Sequence, residues 1–128
     1  MTNLKMYSGL VERYPVEIKA HAIRVSAKCS KYGFDYVVVG LLHDIIEDTY
    51  TELEEIPEEF RDDVATLTRR VGEPYFEYIN RVKNGSNRAI IVKLYDIEDH
   101  LEQRDTLSES LRKRYIKAHN ILMEKFSF

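Results

Sequence analysis

The chain predicts an all-α fold, a single domain of about six or seven helices. Three observations carry that reading. Apolar residues recur at three- and four-residue spacing along most of the 128 residues. The 5 glycines and 3 prolines are few and fall mainly between the periodic segments. The one β-branched run, Asp35 to Gly40, continues into Leu41-Leu42 among helical neighbours, which tips it to helix. A chain of this length reads as one domain, residues 1–128, that can bury a core without crosslinks.

The elements follow in order. Pro15 opens a helix whose apolar residues include Val16, Ile18, Ile23, Val25 and Ala27, and Gly33 is placed to end it. Asp35 can cap the next segment, Tyr36 to Ile46, which is apolar all round until His43. Thr51 and Glu54 have the spacing of a capping box for a short turn. Pro57 starts a helix carrying Phe60, Val64, Leu67 and Val71, which Gly72 ends. Pro74 opens another through Tyr75, Phe76, Ile79 and Val82, and Lys83 to Asn87 forms a turn. Ile90, Ile91, Leu94, Ile97 and Leu101 make the stripe of a long helix. Leu107, Leu111, Tyr115, Ala118, Leu122 and Phe126 make that of the last.

Composition narrows the function. A net charge of −3 supplies no basic field, so duplex nucleic acid is not expected as a partner. Cys29 is the single cysteine, which fits a reducing compartment, and it has no sequence-local activator. The opening MTNLKMYSGL lacks the apolar core of a signal peptide, and no apolar run approaches the ~18 residues of a membrane span. A soluble cytoplasmic protein without a membrane partner is expected.

The chemistry concentrates in GLLHDIIEDT, Gly40 to Thr49. On one continuous helix, Glu47 would stack on His43 and Asp48 on Asp44, each pair sharing a face. Acids this close repel one another unless a cation sits among them. Imidazole with carboxylate suits Mn²⁺, Fe²⁺ or Zn²⁺ better than Ca²⁺ or Mg²⁺ alone. Two further candidates sit inside apolar patterns, His21 in AHAIRVSA and Asp96 in IIVKLYDIEDH. His21, His43, Asp44 and Asp96 together make a set of two histidines and two carboxylates from three helices. Such a set leaves coordination positions open, as catalytic rather than structural sites do. His119 lies in a basic run with Arg112, Lys113, Arg114 and Lys117 that reads as a solvated face. Tyr75, Phe76 and Tyr78 read as core, and Arg81 and Lys83 as surface.

The pattern H…HD…D resembles the metal signature of the HD-domain phosphohydrolase superfamily. Within it, LLHDIIEDT is similar to the segment LLHDxxEDT of the RelA/SpoT-type guanosine tetraphosphate hydrolases and their small relatives, and VKLYDIEDH to their KLADxxxN helix. The resemblance also extends to small bacterial and phage HD proteins, and it covers roughly residues 16–104. It implies an HD-type helical bundle and one divalent metal, usually manganese, with iron, zinc or magnesium as alternatives. The implied ligands are His21, His43, Asp44 and Asp96, and the implied catalytic acids Glu47 and Asp48. It further implies a small-molecule nucleotide substrate, with guanosine tetraphosphate losing pyrophosphate from a 3′ position. Two departures stand out. The basic stretch before the first histidine is ERYPVEIKA here, and the asparagine four residues after the last aspartate is His100.

An anionic substrate needs cations beside so many acids. Arg24, three residues from His21, and Lys93, three from Asp96, can share a face with a ligand, as can His100 at four. These three are the substrate-binding candidates. The alternatives kept open are a nucleoside monophosphate or cyclic-nucleotide phosphohydrolase, and a catalytically silent HD module that binds a nucleotide or a partner.

Overall fold

The computed structural model describes residues 4–103 and 107–126. Among them are helices α1 (Leu4–Val11), α2 (Val16–Cys29), α3 (Phe34–Leu42), the single turn α4 (Ile45–Asp48), α5 (Glu58–Leu67), α6 (Tyr75–Lys83), α7 (Asn87–Glu102) and α8 (Glu109–Met123), joined partly by short 3₁₀ turns. No strand occurs among these residues. The all-α expectation is met, with seven helices longer than one turn. Residues 1–3 of the N-terminal stretch read above, and Arg104 at the end of the resemblance, lie outside the described residues.

Helix α2 packs against α3 and α7, and α3 and α5 also meet α7, so these four surround the core while α6 and α8 pair beside it. The α2–α3 approach is close. A methyl group at Gly40 would lie 3.0 Å from the Ser26 Cα, so only glycine lets the two backbones meet there. That contact carries His21 of α2 towards the end of α3. Ala22, Val25 and Cys29 line the same α2 face and are fully buried. Burial pushes the Cys29 thiol up to about 12, so it is inert, as read from sequence.

Several local expectations change. Val16, Ile23 and Ala27 are exposed, because α2 turns His21, Ala22, Val25, Ser26 and Cys29 inward instead. Gly33, with φ 119°, directly precedes α3; Asp35 lies in its first turn and reaches Arg88 at 3.4 Å rather than capping. Glu52 and Glu55, not Thr51 and Glu54, form the capping box around Leu53–Glu55. Helix α5 stops at Leu67, and Val71 is fully exposed beyond it. Leu111 is exposed on α8, whose buried residues are Ala118 and Leu122. Helix α1, unmarked by any cap in the sequence, adds Tyr7, Leu10 and Val11 to the core. His119, read as part of a solvated basic face, lies 3.4 Å from Glu98 of α7.

Arg81 is a junction rather than a surface residue. It donates to the Thr66 and Thr68 carbonyls and to both oxygens of Glu73, tying the α5–α6 connection to α6. Arg81 leads the interactions that hold the Glu73 carboxyl down at about 2. A depressed folded value stabilises above the ordinary carboxylate range and loses that contribution as pH falls through about 2. Glu73→Gln should therefore lower the melting temperature near neutral pH and flatten its fall between about pH 4 and 2. Thermal melts of both proteins across that range check this; an unchanged acid limb refutes it.

Candidate metal centre

The sequence GLLHDIIEDT does not form one helix. Helix α3 ends at Leu42, and Asp44 takes φ −105° and ψ 3°, a turn conformation, before α4 begins. Consecutive residues on a continuous helix point about 100° apart. The break instead lets His43 and Asp44 face one centre, with His43 Nε2 3.0 Å from Asp44 Oδ2. The continuous-helix pairing of Glu47 with His43 is thereby replaced. Glu47 Oε1 accepts from the Arg69 backbone N–H at 2.5 Å.

Helix α2 delivers His21 and α7 delivers Asp96 to the same point. His21 Nε2 lies 2.7 Å from Asp96 Oδ1 and 3.6 Å from Asp44 Oδ2, and His43 Nε2 lies 3.2 Å from Asp96 Oδ1. One donor atom from each of His21, His43, Asp44 and Asp96 lies within 4.8 Å of the other three. All four residues proposed from sequence as ligands thus converge, with His21, His43 and Asp96 buried.

Both imidazoles are oriented from behind. His21 Nδ1 pairs with Asp99 Oδ2 at 2.6 Å, and His43 Nδ1 donates to the Gly40 carbonyl at 2.6 Å. Each ring therefore turns Nε2 to the centre, the arrangement that fixes a ligand's tautomer in metal sites. Asp99 is fully buried and accepts from Arg24 through Nε and Nη2 at 2.9–3.2 Å. Sequence reading missed Asp99; its signal was its spacing, three residues after Asp96, on a helix face that also carries Lys93 and His100.

Electrostatics fit a cation. Burial opposes the charged imidazole at His43, but Asp44 and Asp96 outweigh it and hold the group well above its ordinary value. His21 is raised against burial by Asp96 and then Asp99. Burial also opposes ionisation of Asp96, yet Lys93, then His43, keep it well below the usual carboxylate range. The cluster thus draws positive charge from protons and from Lys93, whose Nζ lies 2.7 Å from Asp96 Oδ2. A divalent ion would replace the protons on the two Nε2 atoms. The donor set, two imidazoles and two carboxylates, suits such an ion.

The substrate-binding candidates separate. Lys93 is buried on Asp96, and Arg24 is committed to Asp99. His100 lies 3.3 Å from Asp96 Oδ1, stacked between His21 at 4.5 Å and Tyr115 at 5.1 Å. A cavity of about 470 Å³ opens over the centre, lined by Glu17, Ile18, His21, Asp44, Glu47, Asp48, His100, Gln103 and Leu107. Glu47 and Asp48 thus stand in its wall. Partial burial there raises Glu47, against the Arg69 N–H, and raises Asp48 together with the Asp44 charge.

With this geometry in view, the relatives become informative. No family model matches the chain. It is 30% identical over 115 positions, 76% of its length, to a guanosine-3′,5′-bis(diphosphate) 3′-pyrophosphohydrolase of Aquifex aeolicus. It is 43% identical over 49 positions, 37% of its length, to the enzyme of the same name from Borreliella burgdorferi. The chain resembles these pyrophosphohydrolases, and its histidine–aspartate cluster is HD-like. It spans 16% of the first relative and 7% of the second. No described helix is long and apolar enough to cross a membrane.

The HD-like centre makes Asp99 a test of orientation. Asp99→Asn keeps the shape but removes the charge behind His21, so divalent-metal affinity should fall about 10- to 100-fold. Equilibrium dialysis against Mn²⁺ reads this, and wild-type affinity in the variant would refute it.

Proposed function

We propose that the chain is an HD-type metal-dependent phosphohydrolase acting on a nucleotide phosphate or polyphosphate ester. The observation that carries this is the convergence of four donor atoms within 4.8 Å beneath a cavity whose wall includes the carboxylates of Glu47 and Asp48. His21, His43, Asp44 and Asp96 would hold one divalent metal, manganese by resemblance, which when bound supplies Lewis acidity and makes water a better acid. Glu47, at the cavity wall, accepts a proton from the attacking water. Its raised pKa places it nearer to neutrality than a free carboxylate and so makes it a stronger base. Asp48 orients that water or its neighbours from the next position. His21 and His43 are held in register by Asp99 and the Gly40 carbonyl, and Lys93 keeps Asp96 ionised. A small-molecule substrate and a cytoplasmic setting accord with this reading.

Similarity to the two pyrophosphohydrolases favours guanosine tetraphosphate, with release of pyrophosphate from the 3′ position. One observation favours the second reading, a nucleoside monophosphate or cyclic nucleotide. His100 stands where the resembled helix has asparagine, and its ring is covered on both faces by His21 and Tyr115. It offers a substrate no side-chain amide. The test is a nucleotide panel with the manganese-loaded protein, measuring pyrophosphate and orthophosphate separately. Pyrophosphate from guanosine tetraphosphate supports the first substrate. Orthophosphate from a monophosphate, or opening of a cyclic ester, supports the second. No turnover on any member, with metal bound, leaves the silent binding module and refutes the enzyme.

A further inference from the structure

The cavity that must admit an anion is lined by the carboxylates of Glu17, Asp44, Glu47 and Asp48, and the described cations beside the centre, Lys93 and Arg24, are already committed. Lys93 pairs with Asp96, and Arg24 with Asp99. Beyond Glu47 the charge changes sign. Arg69 donates its backbone N–H to Glu47, which is one of the residues lining the cavity. Its guanidinium lies 5.6 Å from the centre of the Tyr75 ring. Arg114 of α8 stacks on the same ring at 3.6 Å. Arg69 donates its Nε to the Glu73 carbonyl, and among the described residues neither Arg69 nor Arg114 is paired with a carboxylate, unlike Arg13, Arg24, Arg81 and Arg88. Arg114 Nε and the Tyr75 hydroxyl are sealed from solvent without an acceptor. A continuous aromatic run joins this group to the centre: Tyr75 to Tyr115 at 6.4 Å, Tyr115 to His100 at 5.1 Å, and His100 to His21 at 4.5 Å.

We infer that Arg69 and Arg114, braced on Tyr75 beside Glu47, form an anion subsite that holds a phosphate group of the substrate next to the one being cleaved. The inference rests on the phosphohydrolase reading for its substrate, but not for its test. Arginine suits the task, because a stacked guanidinium keeps its outer N–H groups aimed while presenting a fixed charge. Two arginines at one edge and acids elsewhere would also orient the substrate. Its phosphate end would lie towards α6 and α8, and its base towards Ile18 and Leu107, which line the cavity.

The experiment titrates inorganic phosphate into the manganese-loaded full chain by calorimetry, for wild type, Arg114→Ala, Arg114→Lys and Arg112→Ala. Arg112 is exposed on the same helix and controls for net charge. Phosphate affinity should fall about ten-fold or more in Arg114→Ala, less in Arg114→Lys, and stay at the wild-type value in Arg112→Ala. Manganese affinity should be unchanged in all three. Wild-type phosphate affinity in Arg114→Ala, an equal loss in Arg112→Ala, or no phosphate binding by the wild type would overturn the subsite. Because no turnover is read, Arg114-dependent phosphate binding by a protein that hydrolyses no nucleotide would uphold the subsite while refuting the hydrolase.

Discussion

Asp96→Ala is expected to abolish divalent-metal binding and, with it, turnover. Asp96 is the carboxylate on which the centre converges. Its side chain lies 2.7 Å from His21, 3.2 Å from His43, 2.7 Å from Lys93 and 3.3 Å from His100. Removing it deletes one of the four proposed ligands and leaves the buried Lys93 ammonium unpaired. Losing one partner of a buried ion pair costs about 3–5 kcal/mol, so the variant should also melt at a markedly lower temperature. Asp96→Asn separates the two effects, since the amide keeps the volume and can still accept from Lys93. Equilibrium dialysis against Mn²⁺ should show no bound metal in either variant at concentrations that saturate the wild type. Near-wild-type affinity in Asp96→Asn would remove Asp96 from the ligand set.

Glu47→Gln is expected to lower turnover by about 10²- to 10⁴-fold with metal affinity nearly unchanged. Glu47 contributes none of the four converging donor atoms, yet it lines the cavity above them. Its carboxylate is anchored by one hydrogen bond, from the Arg69 N–H to Oε1, which leaves Oε2 for water. Glutamine preserves that acceptor and removes the base. The pH profile carries the sign. Burial raises Glu47 from its ordinary value, so wild-type activity should rise with pH through an acidic limb set by Glu47. That limb should vanish in the variant. Full turnover by Glu47→Gln, or an unchanged acidic limb, would assign the proton to another group.

The four residues of the centre were legible because each breaks an apolar pattern at cost. A histidine or aspartate placed inside a helix stripe needs a partner, and His21, His43 and Asp96 turn out buried against one another. What stayed hidden is long-range. Asp99 reads as one more acid near a helix end until α2 and α7 pack and put His21 and Arg24 against it. Arg114 reads as one cation in a basic run until α8 lays it on Tyr75. The break after His43 was illegible for a different reason. Leu41 to Ile46 is compatible with continued helix, and Asp44 leaves helical geometry where its carboxylate joins His21, His43 and Asp96 at the centre. Gly40 gave a signal that could have been read, a glycine inside an apolar helix, which marks a close approach of backbones.

The fold follows from the same logic. Helical periodicity located α2, α5, α6, α7 and α8, although on α2 the buried face is His21, Ala22, Val25, Ser26 and Cys29. It erred at ends, where Val16, Val71 and Leu111 extend a stripe past the neighbour that would cover it, and within α2, where Ile23 and Ala27 face outward. Those positions depend on where partner helices stop, and a stripe carries no record of that.

His21, His43, Asp44 and Asp96 are proposed to hold one divalent metal. The most direct measurement is anomalous diffraction at the manganese edge from crystals of the full chain soaked in manganese chloride. One strong peak is expected, within about 2.0–2.3 Å of an Nε2 from each histidine and an oxygen from each aspartate. Its place is beneath Glu47 and Asp48 in the cavity wall. No peak there, or a peak bound by other residues while these four keep their present hydrogen bonds, would contradict it.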